Sequence, residues 1–172
     1  PSDVDQLIVI MATATSNALR SEPARAAHSN DAPSRSDGEA LYRLVSELYP
    51  FCRSLTGEGQ RQTLAVLRET IDLTIHEVPS GTQVFDWTVP REWNIRDAYI
   101  KDASGRKIVD FADSNLHVMS YSAPVRRRMS LAELKPHLFT LPGHPDWIPY
   151  RTSYYREDWA FCLSHRELLE MK

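Results

Sequence analysis

All sixteen aromatic residues of this chain lie at or after Tyr42. That asymmetry limits where a packed core can form. Residues 1–40 hold eight Ala and six Ser, with Pro23 and Pro33. A segment without large apolar side chains buries too little surface to offset the entropy of ordering it. Residues 1–37 therefore read as a disordered or non-native N-terminal tail, and 12–37 as its least structured part. Leu7-Ile8-Val9-Ile10-Met11-Ala12 resembles a short signal-peptide core. It follows Asp3 and Asp5 instead of a basic segment, and no clear cleavage pattern closes it, so a cytoplasmic location is expected. Residue 1 is Pro and the chain stops inside a helical pattern at Leu168-Leu169-Glu170. The sequence is read as a piece of something longer.

From Gly38 the patterning is that of a folded domain. Leu41, Leu44, Val45 and Leu48 follow the i, i+3, i+4, i+7 spacing of a half-buried helix, which Pro50 ends. A loop with Gly57 and Gly59 leads to a second helix over Glu58–Ile71, with Thr56 as its N-cap. The period then changes to two. Strands are expected at Leu73–Val78 and Val84–Val89, then at Ala98–Lys101, Lys107–Phe111, Leu116–Ser122 and Trp159–Leu163. Asp102-Ala103-Ser104-Gly105 reads as a hairpin turn. Ser130-x-x-Glu133 and Ser164-x-x-Glu167 are capping boxes that open short helices, the first interrupted by Pro136. Helices followed by a run of strands make this an α+β chain.

Charge and composition exclude several function classes. The net charge is −3, which gives no electrostatic reason to expect nucleic-acid or membrane-surface binding. The single basic run, Arg126-Arg127-Arg128, reads as a solvated edge-strand face. No apolar run is long enough to span a bilayer. Two cysteines, Cys52 and Cys162, are too few for a disulfide scaffold and read as packing residues. No HExxH or Gly-x-Ser-x-Gly occurs. His144 and Asp146 share a loop but do not make a metal site by themselves. Thr56-Gly57-Glu58-Gly59 is either an anion cradle at a helix start or a tight turn with a cap. His117, flanked by apolar residues, reads as a hydrogen-bonded core or pocket-wall histidine. The Trp and Tyr residues among the later prolines are either the core of a small β domain or the wall of a binding surface.

Several strings in order carry a family resemblance. They include Arg53-Ser54-Leu55-Thr56-Gly57-Glu58-Gly59, Val78-Pro79-Ser80-Gly81-Thr82 and Phe85-Asp86-Trp87-Thr88-Val89-Pro90-Arg91-Glu92-Trp93-Asn94-Ile95. Further on come Ser114-Asn115-Leu116-His117, Ser120-Tyr121-Ser122-Ala123-Pro124, Thr152-Ser153-Tyr154-Tyr155 and Trp159-Ala160-Phe161-Cys162-Leu163-Ser164-His165. Together they resemble the N-terminal part of a bacterial aminopeptidase-like family. Its members have long been labelled a domain of unknown function, and many are named polysaccharide biosynthesis proteins with an aminopeptidase-like domain.

The resemblance implies a zinc-aminopeptidase-like α/β core with a small β-rich domain inserted near its start. On that basis 38–81 and 161–172 are edges of the core and 82–160 is the insert. Zinc is implied for the full-length family, but its ligand motifs match nothing here, so no metal ligand is assigned. The implied substrate is a small peptide-like or amide compound. The substrate-facing candidates are Arg53, as a bidentate partner for a carboxylate, with His117, Tyr154 and Tyr155 lining a pocket. The chain is then an N-terminal fragment of a hydrolase, inactive alone. The rival reading is a non-catalytic module that binds carbohydrate or peptide, or serves as an interaction surface.

Overall fold

In a computed structural model of the chain, the described residues are the backbone of 6–13 and residues 35–54 and 56–171. They fall into two compact units. One comprises the described residues of Pro1–Ala14 and Ile95–Lys172, the other those of Thr15–Asn94.

The second unit starts with helix α1 (Arg35–Leu48), which lies where the leucine spacing puts it. No residue of α1 is buried: Leu41 and Val45 are both 62% exposed. Helix α2 (Glu58–Leu67) is shorter than the expected Glu58–Ile71, because the backbone leaves the helix in a turn after Leu67. Two glycines let its first turn form. Gly57 has φ 109, and a Cβ there would lie 2.6 Å from the Trp93 carbonyl oxygen. A Cβ on Gly59 would collide with the Cys52 carbonyl. The expected strand at Leu73–Val78 does not form. Its residues alternate as a strand should, but no strand among the described residues pairs with it, and backbone groups without a ladder partner stay solvated. The expected strand over Val84–Val89 is instead a tight hairpin, β2 (Gln83–Val84) and β3 (Trp87–Thr88), turning at Phe85-Asp86. Phe85 adopts φ 51 at the tip.

The first unit is built on a four-stranded antiparallel sheet in the order β5-β4-β1-β6. β4 is Ile95–Lys101, β5 Lys107–Asp110 and β6 Val125–Ser130. Its second interior strand, β1, is Gln6–Thr13. The expected tail over 1–37 thus gives way at this segment, whose apolar run lets it lie between two strands; the rest of the tail up to residue 34 lies outside the described residues. The β4–β5 turn is held by Asp102. Its Oδ1 accepts the Ser104 and Arg106 amides, each at 3.0 Å, and Gly105 takes φ 87. β6 forms the far edge with Arg126, Arg127 and Arg128 exposed, the charged edge that blunts unwanted pairing.

Helix α3 (Leu131–Leu134) opens with its capping box and passes at Pro136 into a 3-10 turn, Lys135–His137. β7 (Leu138–Phe139) pairs in parallel with β8 (Phe161–Cys162). Helix α4 (His165–Glu170) starts at the second capping box. Phe161, Cys162 and Leu163 are fully buried. They pack in the same compact unit as residues 95–160, which begins at Ile95.

Candidate functional site

The expected strand over Leu116–Ser122 is a 3-10 turn, Asn115–His117, followed by two isolated bridges, Val118 to Phe161 and Ser120 to Thr152. These bridges place the functional candidates of the first unit. The His117 ring is 5% exposed, and its Nδ1 donates to the Cys162 carbonyl at 2.8 Å. A carbonyl only accepts, so the proton sits on Nδ1. His117 thus ties the turn to β8 as a core histidine.

Just beyond, the second bridge brings Tyr121 and Tyr154 together. Their rings meet edge to face with centroids 5.1 Å apart, and Tyr154 meets Tyr155 the same way at 4.6 Å. Tyr121 holds φ 65, a conformation that costs a non-glycine residue on the order of 1 kcal/mol or more. Tyr155 is 95% exposed. Burial of the Tyr154 hydroxyl region, followed by its tyrosine neighbours, raises its pKa above the usual phenol value. Underneath, Ser153 is buried, and its amide donates to the Ser120 carbonyl at 2.9 Å. The result is a small aromatic surface on a fixed base. Tyr121, which supplies one of its three rings, belongs to the aromatic group read from the sequence as core or binding wall, but was not among the named substrate-facing residues. The signal that could have found it is the Ser-Tyr-Ser-Ala-Pro string, where a tight turn precedes a proline.

Arg53 lies in the other unit. It is exposed, and its Nη1 donates at 3.1 Å to the Leu48 carbonyl at the end of α1, which also accepts the Phe51 amide at 3.2 Å. Among the described residues it pairs with no carboxylate. The structure therefore brings Tyr154 and Tyr155 together, keeps His117 inside, and uses Arg53 locally as a C-terminal helix cap.

The anion-cradle alternative at Thr56–Gly59 does not hold. The N-cap is Gly57, not Thr56, because the tight packing there excludes a side chain. The Glu58 amide is already taken by Asn94 Oδ1 at 2.6 Å. Arg61, one turn into α2, is surrounded by carboxylates: it makes two hydrogen bonds to Glu92, one to Glu77 at 3.1 Å, and lies 3.9 Å from Glu58. That acidic surround repels an anion.

Metal and thiol chemistry fare similarly. His144 stacks on Trp147 at 4.1 Å, and Asp146 is bound by Arg166 at 2.7 Å. His137 bonds the Trp159 carbonyl, and His165 bonds Thr140. No three His, Cys, Asp or Glu side chains converge among the described residues, so the donors present do not fit the zinc implied for the family. Burial pushes the Cys162 thiol up to about 12, and raises Cys52 as well. Neither is poised as a thiolate. No helix among the described residues is long and apolar enough to cross a membrane.

Comparison with known proteins places this geometry. Residues 92–172 match the family described as Domain of unknown function (DUF2172). A Clostridium acetobutylicum protein, provisionally named a polysaccharide biosynthesis protein with aminopeptidase-like domain, is 56% identical over 134 residues. That match covers 78% of this chain and 31% of the relative. A crystal structure of a provisionally assigned peptidase from the same organism superposes with a TM-score of 0.78 at 55% identity. It covers 80% of this chain and 32% of that one. The chain thus spans about a third of the length of the relatives it matches.

Proposed function

From a chain that is homologous to the bacterial aminopeptidase-like proteins carrying DUF2172, we propose an N-terminal part of a hydrolase acting on an amide or peptide bond, inactive by itself. The observation that carries this reading is the 56% identity over 134 residues to a relative of which the match covers 31%. Two features support it. Among the described residues no three donor groups converge on a metal, so this reading draws the zinc implied for the family from other residues. Helix α1 is amphipathic yet buries nothing, as suits an element whose partner lies elsewhere in the longer protein.

In this reading 38–81 and 161–172 border the peptidase-like core and 82–160 is an insert, its compact part beginning at Ile95. Tyr154 and Tyr155, with Tyr121, offer the substrate an aromatic surface with His117 in its wall; Arg53, in the other unit, is a separate candidate partner for a carboxylate. The substrate is a small peptide-like or amide compound. Two free thiols, Cys52 and Cys162, suit the reducing cytoplasm.

Turnover of aminoacyl-anilides by the longer protein and by this chain tests the proposal. The longer protein should hydrolyse them and this chain should not. Arg53→Ala and Tyr155→Ala in the longer protein should raise KM several-fold. Turnover by this chain alone, or unchanged kinetics in both variants, would sink it. The tyrosine trio, with Tyr155 exposed and the other two half-buried, favours a second reading, a module that holds carbohydrate or peptide without chemistry. It predicts saturable glycan or peptide binding by this chain, lost in Tyr155→Ala, with no hydrolysis by the longer protein.

A further inference from the structure

The far edge of the four-stranded sheet carries a charge that its own surroundings do not answer. β6 is the last strand in the order β5-β4-β1-β6, and Arg126, Arg127 and Arg128 stand exposed along it. The chain as a whole is net acidic, at −3. Elsewhere its arginines find carboxylates: Arg35, Arg61, Arg106, Arg156 and Arg166 each make an ion pair. Among the described residues the three arginines of β6 make none. On the sheet itself Asp110 is taken by Lys107 at 2.6 Å.

The register shows how this charge is spread. Arg126 and Tyr99 both lie opposite Ile10, and Arg128 and Lys101 both lie opposite Ile8. Directly opposed residues share a face, so Arg126 and Arg128 stand with Tyr99 and Lys101. The Lys101 and Lys107 ammonium groups sit 4.8 and 4.5 Å from the Tyr99 ring centroid, which adds two cations to that face. Arg127 lies opposite Val9 and shares the other face with Ile100. The edge is therefore basic on both faces. Beyond the β1 ladder, no backbone–backbone bond among the described residues reaches Val125–Met129. An edge strand keeps alternate N–H and C=O groups for a further partner.

Like edges are rejected here. Two copies of β6 paired antiparallel would set arginine against arginine, and like charges directly opposite destabilise a pair. The 172 residues contain no three successive acidic residues, so the complement does not come from a second copy. We propose that β6 is a docking edge for an extended acidic segment of another polypeptide. The segment adds antiparallel as a fifth strand and sets three successive Asp or Glu residues opposite Arg126, Arg127 and Arg128. Main-chain bonds hold it, in the strand-addition mode. Guanidinium–carboxylate pairing on both faces selects it. The repulsion that blunts other edges thereby serves as the specificity device. The arrangement does not depend on whether the longer protein is a hydrolase.

The test uses the whole chain and a labelled peptide with three central glutamates between valine–threonine flanks, followed by fluorescence anisotropy at low salt. The peptide should bind saturably and one to one. Glutamine in place of the glutamates should weaken binding at least tenfold. N-methylation of one alternate set of peptide amides should do the same and of the other set should change little, as a one-sided ladder requires. Arg126→Glu with Arg128→Glu should lose the glutamate peptide and gain one with lysines at the two facing positions, a gain that only a folded variant can show. Arg126→Gln with Arg128→Gln, the milder pair, should weaken the glutamate peptide at least tenfold. The proposal is wrong if the unaltered chain shows no saturable binding, or if the glutamine peptide binds equally well. Indifference to both N-methylated sets, or full affinity in the glutamine variant, overturns it too. An oligothymidylate that competes as strongly as the peptide would mark a general polyanion face and overturn it as well.

Discussion

Asn94 caps helix α2 from across the unit: its Oδ1 accepts the Glu58 amide at 2.6 Å, although the two residues are 36 apart in sequence. A glycine stands at the N-cap position itself and has no side chain to offer. The helix start is thus completed by the chain segment that closes the unit. Asn94→Ala should lower stability by about 1 kcal/mol, the usual worth of a cap. Gly57→Ala should cost more, since it adds a Cβ at φ 109 against the Trp93 carbonyl. Chemical denaturation of both variants checks the order.

Acid should weaken the same unit. The Arg61 hydrogen bond to Glu92 holds that carboxyl below its usual range. A depressed folded value means the unfolded chain binds the proton more readily. The stabilisation is therefore complete above the unfolded value of about 4.3 and is lost as pH falls through the folded one. Side-chain exposures of 30% and 27% keep its worth to about 1 kcal/mol. Glu92→Gln should flatten the decline in stability between pH 5 and 3, measured by urea midpoints.

Ser122 links two segments of chain in the other unit. Its buried hydroxyl donates to the Met119 carbonyl at 2.6 Å and accepts the Ala160 amide at 3.3 Å. Ser122→Ala takes the hydroxyl from the Ala160 amide, while the Met119 carbonyl keeps the Ser122 amide at 3.1 Å, and should cost about 1–3 kcal/mol. Ser122→Cys, a near-isostere with a weaker donor, should fall between. Thermal melts give the ranking.

Cys162 should resist thiol reagents in the folded chain. It is fully buried, and burial carries its pKa to about 12. Labelling with iodoacetamide at pH 8 should modify Cys52 first and Cys162 only at the rate of opening. Equal labelling of the two thiols without denaturant would contradict the packing described.

The exposed face of α1 should make the isolated chain sticky. Leu41, Tyr42, Val45 and Tyr49 are all more than 60% exposed, a contiguous apolar stripe of the kind that drives association. Leu41→Glu with Val45→Glu should reduce dye binding and concentration-dependent light scattering while leaving the circular dichroism of the β-rich unit unchanged. A chain that is already monomeric and dye-free would remove this expectation.

Local signals in the sequence were read correctly where a single element decides the outcome. Ser130 with Glu133 and Ser164 with Glu167 open their helices as the spacing requires. Asp102 to Gly105 turns, and the triple arginine lies on an edge strand. The α+β order was legible for the same reason. What failed depends on partners distant in sequence. Leu73–Val78 alternates well, but a strand is a property of a pair, and its partner is absent among the described residues. Gln6–Thr13 was dismissed because its neighbours are poor core formers; its own run of Leu, Ile and Val was the better guide. At the candidate site, Tyr154 and Tyr155 were visible as adjacent aromatics. Tyr121 was read only as one of the scattered aromatics, because the bridge from Ser120 to Thr152 that brings it to Tyr154 leaves no periodic trace.

The placement of β1 has a consequence for how the protein is made. Its register partners are Ile95 to Lys101 on one side and Val125 to Ser130 on the other. A ribosome adding about 5–20 residues per second needs roughly 6–20 s to travel from Thr13 to Val125. Until Ile95–Lys101 is made, the most apolar segment of the nascent N-terminal region has no wall to pair with, and until Val125–Ser130 is made it has only one. The sheet closes only after about three-quarters of these 172 residues have been made, when β6 ends at Ser130.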